Sequence, residues 1–98
     1  MEITKTVNGK TLTLALSGRL DTTTSPALES EIRTSIEGID ELILDFEKLE
    51  YVSSAGLRVL LSTQKTMNKQ GKMIIRGVCS DIMEVFDITG FTDILTIE

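Results

Sequence analysis

Hydrophobic residues follow a strand-like period near the start of the 98-residue chain. Every second residue from Leu12 to Leu16 is a leucine, and smaller or polar residues stand between them. This alternation predicts a strand with one buried face, which Gly18 is predicted to end. The preceding Asn8-Gly9 pair predicts a type I′ turn, because both central residues of that turn need positive φ. An N-terminal hairpin is therefore expected.

A helical period appears in the segment that follows a polar loop. Leu28, Ile32 and Ile36 recur at four-residue spacing, so one stripe of a predicted first helix faces the core. Ser25 is a residue type that caps helix N-termini, and Pro26 suits the first helical position. Gly38 is the predicted stop of this helix.

Two further helices are predicted by the same criterion. Hydrophobic residues keep helical spacing from Leu57 to Met67, and Gly71 is predicted to end this second helix. The third helix is predicted to begin with Ser80 as its cap and to close at Gly90.

Three short apolar runs alternate with these helices and predict further strands. They read ELILDF, KMIIRG and DILTIE. The resulting order of strands and helices is ββαβαβαβ, which predicts parallel pairing with right-handed crossovers. We therefore expect an α/β fold for residues 1–98 as a single domain. Its mixed sheet of four to five strands begins with the hairpin, is otherwise largely parallel, and is flanked by three or four helices.

The residue composition narrows the classes of function. Ten basic and fifteen acidic residues give a net charge of −5. An acidic chain without a basic block gains no counterion-release energy on nucleic acid and no attraction to an anionic membrane. The single cysteine, Cys79, cannot form an internal disulfide, and no apolar run approaches the roughly 20 residues that span a membrane. We expect a soluble cytoplasmic protein that binds neither nucleic acid nor a membrane.

The chain lacks the residue types and motifs on which most enzyme active sites depend. Histidine is absent, which removes the commonest general base and the commonest metal ligand. No cluster of carboxylates or thiols has the spacing of metal ligands, and the glycine-rich motifs that bind phosphate do not occur. We expect no enzyme activity, no catalytic residue, no metal site and no cofactor.

Two adjacent serines at the predicted start of the second helix raise a separate question. Ser53 and Ser54 precede Ala55 and Gly56 in the segment YVSSAGLRVLL. One interpretation is an N-cap, in which either serine accepts a hydrogen bond from an early helical N–H group. The other is a serine presented to a partner, since a phosphate is tolerated at a helix N-terminus but disrupts docking. The residues alone leave both interpretations open.

Three longer motifs, which together span nearly the whole chain, read LSGRLDTTTSPALE, LDFEKLEYVSSAGLRVLL and GKMIIRGVCSDIMEVFDITGFTDILTI. They resemble the motifs of the STAS domain family, the anti-sigma factor antagonists of bacteria. The resemblance implies a mixed sheet with flanking helices and a partner-switching mechanism. In that mechanism the unphosphorylated antagonist binds an anti-sigma factor that is also a serine kinase. Phosphorylation then breaks the complex, and a phosphoserine phosphatase resets it.

The resemblance also assigns roles to individual residues. Ser54 matches the phosphoacceptor, with Ser53 as the less favoured choice, and Asp21 matches a position near the partner-binding surface. The partner-binding residues that the resemblance implies are Asp21, Thr22, Thr23, Thr24, Ser53, Ser54, Ala55, Gly56 and Arg58.

A second function stays open beside the antagonist. STAS-like proteins also serve as constitutive interaction subunits of lipid-transport or sensory complexes, and the two serines would then form a cap and a contact. The sequence is also compatible with a weak homodimer.

Overall fold

The computed structural model describes residues 1–98 and consists of one mixed sheet with three α-helices. The strands are β1 (Glu2–Asn8), β2 (Thr11–Leu20), β3 (Glu41–Val52) and β4 (Lys72–Arg76). The helices are α1 (Ser25–Ser35), α2 (Ser54–Gln70) and α3 (Ser80–Thr89), and a single 3₁₀ turn covers Phe91–Asp93. The α/β fold predicted from the sequence is confirmed.

The four strands lie side by side in chain order. β1 pairs with β2 antiparallel, β2 with β3 parallel, and β3 with β4 parallel. The predicted fifth strand is reduced to a single parallel bridge between Ile97 and Ile75. Two backbone hydrogen bonds of 2.9 Å hold this bridge, from Ile75 N to Thr96 O and from Glu98 N to Ile75 O. The sheet therefore has four strands, the lower of the two predicted numbers.

The hairpin forms as predicted, but its turn differs. Asn8 pairs with Thr11, so the two-residue loop consists of Gly9 and Lys10. Gly9 alone has positive φ, at 63°. A type I′ turn needs positive φ at both loop positions, whereas a type II′ turn needs it only at the first. The prediction of a type I′ turn at Asn8-Gly9 is wrong.

Gly18 does not end β2. It adopts a φ of 93° inside the strand, and the strand continues to Leu20. The register with β3 shifts on either side of this glycine, and each shift adds one extra residue on β3. Such bulges bend a strand without ending its pairing. Both strands therefore extend further than the sequence predicts.

The three helices pack against one face of the sheet and enclose a core that is mostly aliphatic and includes two phenylalanines. The fully buried core residues include Leu12, Leu14, Leu16, Leu42, Leu44, Phe46, Leu60, Met67 and Phe86. The residues between them on β2, β3 and β4 are partly buried or exposed. The strand and helix periods of the sequence therefore identify the core in the regular parts of these elements.

Two predicted helix caps lie one residue away from their predicted positions. Thr24 rather than Ser25 is the N-cap residue of α1, and Cys79 rather than Ser80 is that of α3. Neither N-cap side chain makes a capping hydrogen bond. In addition, α1 ends at Ser35, so Gly38 lies in the turn beyond the helix. Both ends of α1 therefore depart from the prediction.

Gly71 ends α2, as predicted, at a point where the backbone passes very close to another segment. Its N–H donates to Met67 O at 2.7 Å, and the next residue, Lys72, donates to Asp40 O at 2.9 Å. A Cβ atom at Gly71 would overlap the carbonyl group of Asp40. The connection between α2 and β4 therefore requires glycine for reasons of space.

We predict that Gly71→Ala lowers the free energy of unfolding by about 3 kcal/mol, because backbone atoms must move to accept the methyl group. Gly38→Ala is the matched control. It meets no atom within 4 Å, and its φ of 78° makes the substitution cost about 1 kcal/mol. Urea denaturation of both variants measures the difference. Equal losses would contradict the packing argument.

Candidate functional site

The predicted site residues come together at the carboxyl ends of β2 and β3. These strands are parallel, so the loop after β2 and the start of α2 leave the same edge of the sheet. A hydrogen bond of 2.8 Å from Ser53 N to Leu20 O joins the two exits. Carboxyl ends of parallel strands are a common place for sites in α/β proteins. The loop from Asp21 to Thr24 therefore lies beside the beginning of α2.

The two serines have different environments. Ser53 has extended backbone, with φ −92° and ψ 176°, and its Oγ accepts a hydrogen bond of 3.4 Å from Gly56 N. Its carbonyl oxygen accepts from Leu57 N at 2.9 Å. Ser54 is the first residue of α2, is exposed, and its hydroxyl makes no hydrogen bond. Ser53 is therefore the cap, and Ser54 is free.

Gly56 lies where the first turn of α2 packs closely against the end of β2. The residue is buried, and a Cβ atom there would lie 2.8 Å from Leu20 Cγ and 3.1 Å from the Leu20 carbonyl oxygen. The absence of a side chain lets α2 approach the end of β2. Ala55 beside it is partly buried.

The loop after β2 is held by the carboxylate of Asp21. Its Oδ1 accepts hydrogen bonds of 3.0 Å from the backbone N–H groups of Thr23 and Thr24. In return, Thr24 Oγ1 accepts from Asp21 N at 2.9 Å and donates to Arg19 O at 2.7 Å. The Thr24 N–H group is the main cause that lowers the pKa of Asp21, against a smaller opposing effect of desolvation. The loop is therefore fixed by reciprocal bonds to an ionised carboxylate.

Arg19 and Tyr51 form a second feature of this edge, which the sequence analysis did not identify. They are register partners on β2 and β3, and the guanidinium carbon of Arg19 lies 4.2 Å from the centre of the Tyr51 ring. Arg19 Nε is also 3.7 Å from Asp21 Oδ2. Tyr51 is 40% exposed. The sequence pattern does not pair these residues, because the bulges of β3 shift the strand register that brings them together.

A cavity of about 420 Å³ opens between α1 and the first turns of α2. It is lined by Thr22, Ser25, Pro26, Glu29, Ala55, Arg58, Val59 and Ser62. Ser25 is 3% exposed, and its hydroxyl has no hydrogen-bond partner. Arg58 is exposed. The cavity is thus lined by a cation without an ionic partner and by a residue whose buried hydroxyl has no hydrogen-bond partner, and it includes Ala55, the residue after Ser54.

The residues predicted to bind a partner differ in how much of their surface they offer. Those that are exposed are Thr22, Thr23, Ser54 and Arg58. Those that are partly buried are Asp21, Thr24, Ser53 and Ala55, and Gly56 is buried. Ser54 is thus one of four exposed members, and the other three lie on the loop after β2 and on the first turns of α2.

Comparison with known proteins identifies the family. The STAS domain model matches residues 2–98, and the chain belongs to this family. It is 33% identical to BtrV of Bordetella bronchiseptica over 88% of this chain and 76% of that protein. It is also 32% identical to the anti-sigma-B factor antagonist of Staphylococcus aureus strain NCTC 8325, over 97% of this chain and 90% of that protein.

Solved structures agree with this assignment at the level of the fold. The unphosphorylated form of the anti-sigma factor antagonist SpoIIAA is 20% identical, with a TM-score of 0.78 over 99% of this chain and 87% of that one. The phosphorylated form, from Bacillus, is 21% identical, with a TM-score of 0.77 over 99% and 91%. No helix in the structure is both long enough and apolar enough to cross a membrane.

The division between the two serines gives a prediction about stability. Ser53→Ala removes the cap of α2 and is expected to lower the free energy of unfolding by about 1 kcal/mol. Ser54→Ala removes a hydroxyl without a partner and is expected to change it by less than about 0.5 kcal/mol. Chemical denaturation of both variants checks the order. A larger loss for Ser54→Ala would reverse the assignment of cap and free serine.

The hydrogen bonds to Asp21 give a prediction about pH. The pKa of Asp21 is lowered from 3.8, so its contribution to stability is present above that value and is lost as pH falls through the folded-state pKa. Carbon NMR titration of the carboxyl group should give a pKa below 3.8. Asp21→Asn should lack this part of the acid dependence of thermal unfolding. A titration at or above 3.8 would refute the proposed network.

Proposed function

We propose that this protein is an anti-sigma factor antagonist whose binding is switched off by phosphorylation of Ser54. The partner is an anti-sigma factor that is also a serine kinase, and a phosphoserine phosphatase restores binding, in the cytoplasm. One observation carries the proposal. Ser54 is exposed with a free hydroxyl at the start of α2, while Ser53 provides the cap. The role of the Staphylococcus aureus relative as an anti-sigma-B factor antagonist supports it.

The position of Ser54 suits a phosphate. The backbone N–H groups of the first helical turn have no acceptor in a preceding turn, and the helix dipole places partial positive charge there. Because the cap uses the neighbouring serine, modification of Ser54 leaves the Ser53–Gly56 hydrogen bond in place. A phosphoryl group can therefore be added and removed without loss of the helix.

The same position suits the control of docking. The neighbouring residues on this surface include the small, uncharged Thr22, Thr23 and half-buried Ala55, together with one exposed cation, Arg58. A phosphate adds about −1.5 to −2 charges to this surface. In a docked complex that charge must be desolvated or must face partner groups that do not match it, which costs several kcal/mol. Phosphorylation thus opposes binding by charge and by volume.

The test compares Ser54→Ala with Ser54→Asp in a pull-down from native cell lysate, followed by titration of the captured kinase. The aspartate variant is expected to bind on the order of a hundredfold more weakly. Asn68→Asp is the matched control, because it adds one negative charge near the other end of α2 and keeps an acceptor for the Gln64 side chain. This control should bind like the unmodified protein.

Two outcomes would count against the proposal. Equal binding of the kinase by the alanine and aspartate variants would exclude the switch. Capture of the same transporter or sensory scaffold by both variants would instead favour a constitutive interaction subunit. Mapping the phosphate after incubation with the kinase tests the acceptor, since Ser53→Ala should still be modified and Ser54→Ala should not.

A further inference from the structure

Arg58 lies one helical turn after Ser54. Residues four apart on a helix are neighbours, with about 5–6 Å between their Cβ atoms. Long helical side chains lean toward the N-terminus, so the spacing allows the guanidinium of Arg58 to reach the turn that carries Ser54. A planar group with several hydrogen-bond donors is therefore within reach of a substituent on the Ser54 hydroxyl.

Arg58 has no ionic partner of its own. The three ion pairs of the structure join Arg19 to Asp21, Arg33 to Glu29, and Lys72 to Glu41. Among the carboxylates near the cavity, Glu29 is thus held by Arg33 at 3.0 Å, and Asp21 is bound to the loop amides. The next cation along α2 is Lys65, almost two turns further on. Arg58 is therefore the cation without an ionic partner on this part of the surface.

The cavity next to Arg58 contains a second unused group. Ser25 lines it from the α1 side, is 3% exposed, and its hydroxyl has no hydrogen-bond partner. A buried hydroxyl without a partner costs free energy, and an acceptor recovers that cost if the Ser25 side chain turns toward the cavity. Of the two groups, the exposed Arg58 guanidinium is the one that an oxyanion at the cavity reaches directly.

We infer that the phosphoryl group on Ser54 docks within the same molecule against the Arg58 guanidinium, at the mouth of the cavity between α1 and α2. This inference rests on Ser54 as the phosphoacceptor. A guanidinium binds phosphate oxygens through two parallel N–H bonds, and the N–H groups of the first turn add to them. Docking also withdraws Arg58 from any contact with the partner. Phosphorylation therefore both adds a charge and removes a cation from the binding surface.

The experiment uses full-length protein with phosphoserine incorporated genetically at position 54, so that no kinase is needed. Phosphorus NMR measures the second pKa of the phosphate in the otherwise unmodified protein, in Arg58→Gln and in Lys65→Gln. Arg58→Gln is expected to raise this pKa on the order of half a unit, about a threefold change in proton affinity. Lys65→Gln removes the same charge from an exposed position on the same helix and should leave it unchanged. Arg58→Lys should give an intermediate value, because a lysine keeps the charge but not the paired donors.

Equal pKa values in the Arg58→Gln and Lys65→Gln proteins would overturn the inference. All three variants change exposed side chains, and thermal unfolding verifies that each is folded. Kinase binding by the same samples separates the two proposals. If the phosphoserine protein fails to bind while Arg58→Gln leaves the pKa unchanged, the switch stands and the docking of the phosphate is wrong. If the phosphoserine protein binds as tightly as the unmodified one, the switch itself is wrong.

Discussion

The parallel pairing of β2 with β3 is the constraint on which the site depends. It continues past two bulges to the ends of both strands, where Ser53 N donates to Leu20 O. This bond fixes the point at which α2 begins, and the close contact between Gly56 and Leu20 fixes the depth at which the helix lies. The loop at Asp21 leaves β2 one residue later. The exposed residues around Ser54 are positioned by these main-chain contacts more than by their own side chains.

The sequence predicted the architecture well because the hydrophobic period is regular where the elements are regular. Leucines at every second position in β2 and hydrophobic residues at helical spacing in α2 identified their buried faces. The pattern fails where the backbone is irregular. Phe46, Leu49 and Val52 are all buried at three-residue spacing, because the bulges on β3 insert residues between them. Alternating burial has a period of two, so a period of three in β3 does not match it. The sequence therefore predicts a shorter strand than the structure shows.

The sequence predicted which residues form the candidate site, but it did not predict which serine is the helix cap and which has the free hydroxyl. Residue types and the family resemblance indicated both serines, and only the backbone at Ser53 distinguishes the cap from the free hydroxyl. At Ser25 the same reasoning fails, since the preceding Thr24 occupies the cap position and uses its hydroxyl to close the Asp21 loop. Capping preferences describe a residue type, whereas the partner of a given hydroxyl depends on the local chain. The Arg19–Tyr51 stack escaped prediction for a related reason, because it depends on register.

The aromatic content of the chain has a consequence for measurement. The protein has no tryptophan and one tyrosine, and that tyrosine lies partly exposed under Arg19, two residues before the cap of α2. Its tyrosine absorbance and fluorescence therefore come from one place on the surface, three residues before Ser54. The molecule contains an intrinsic spectroscopic reporter at the edge where the site lies. An event that displaces Arg19 or covers Tyr51 alters that signal without any added label.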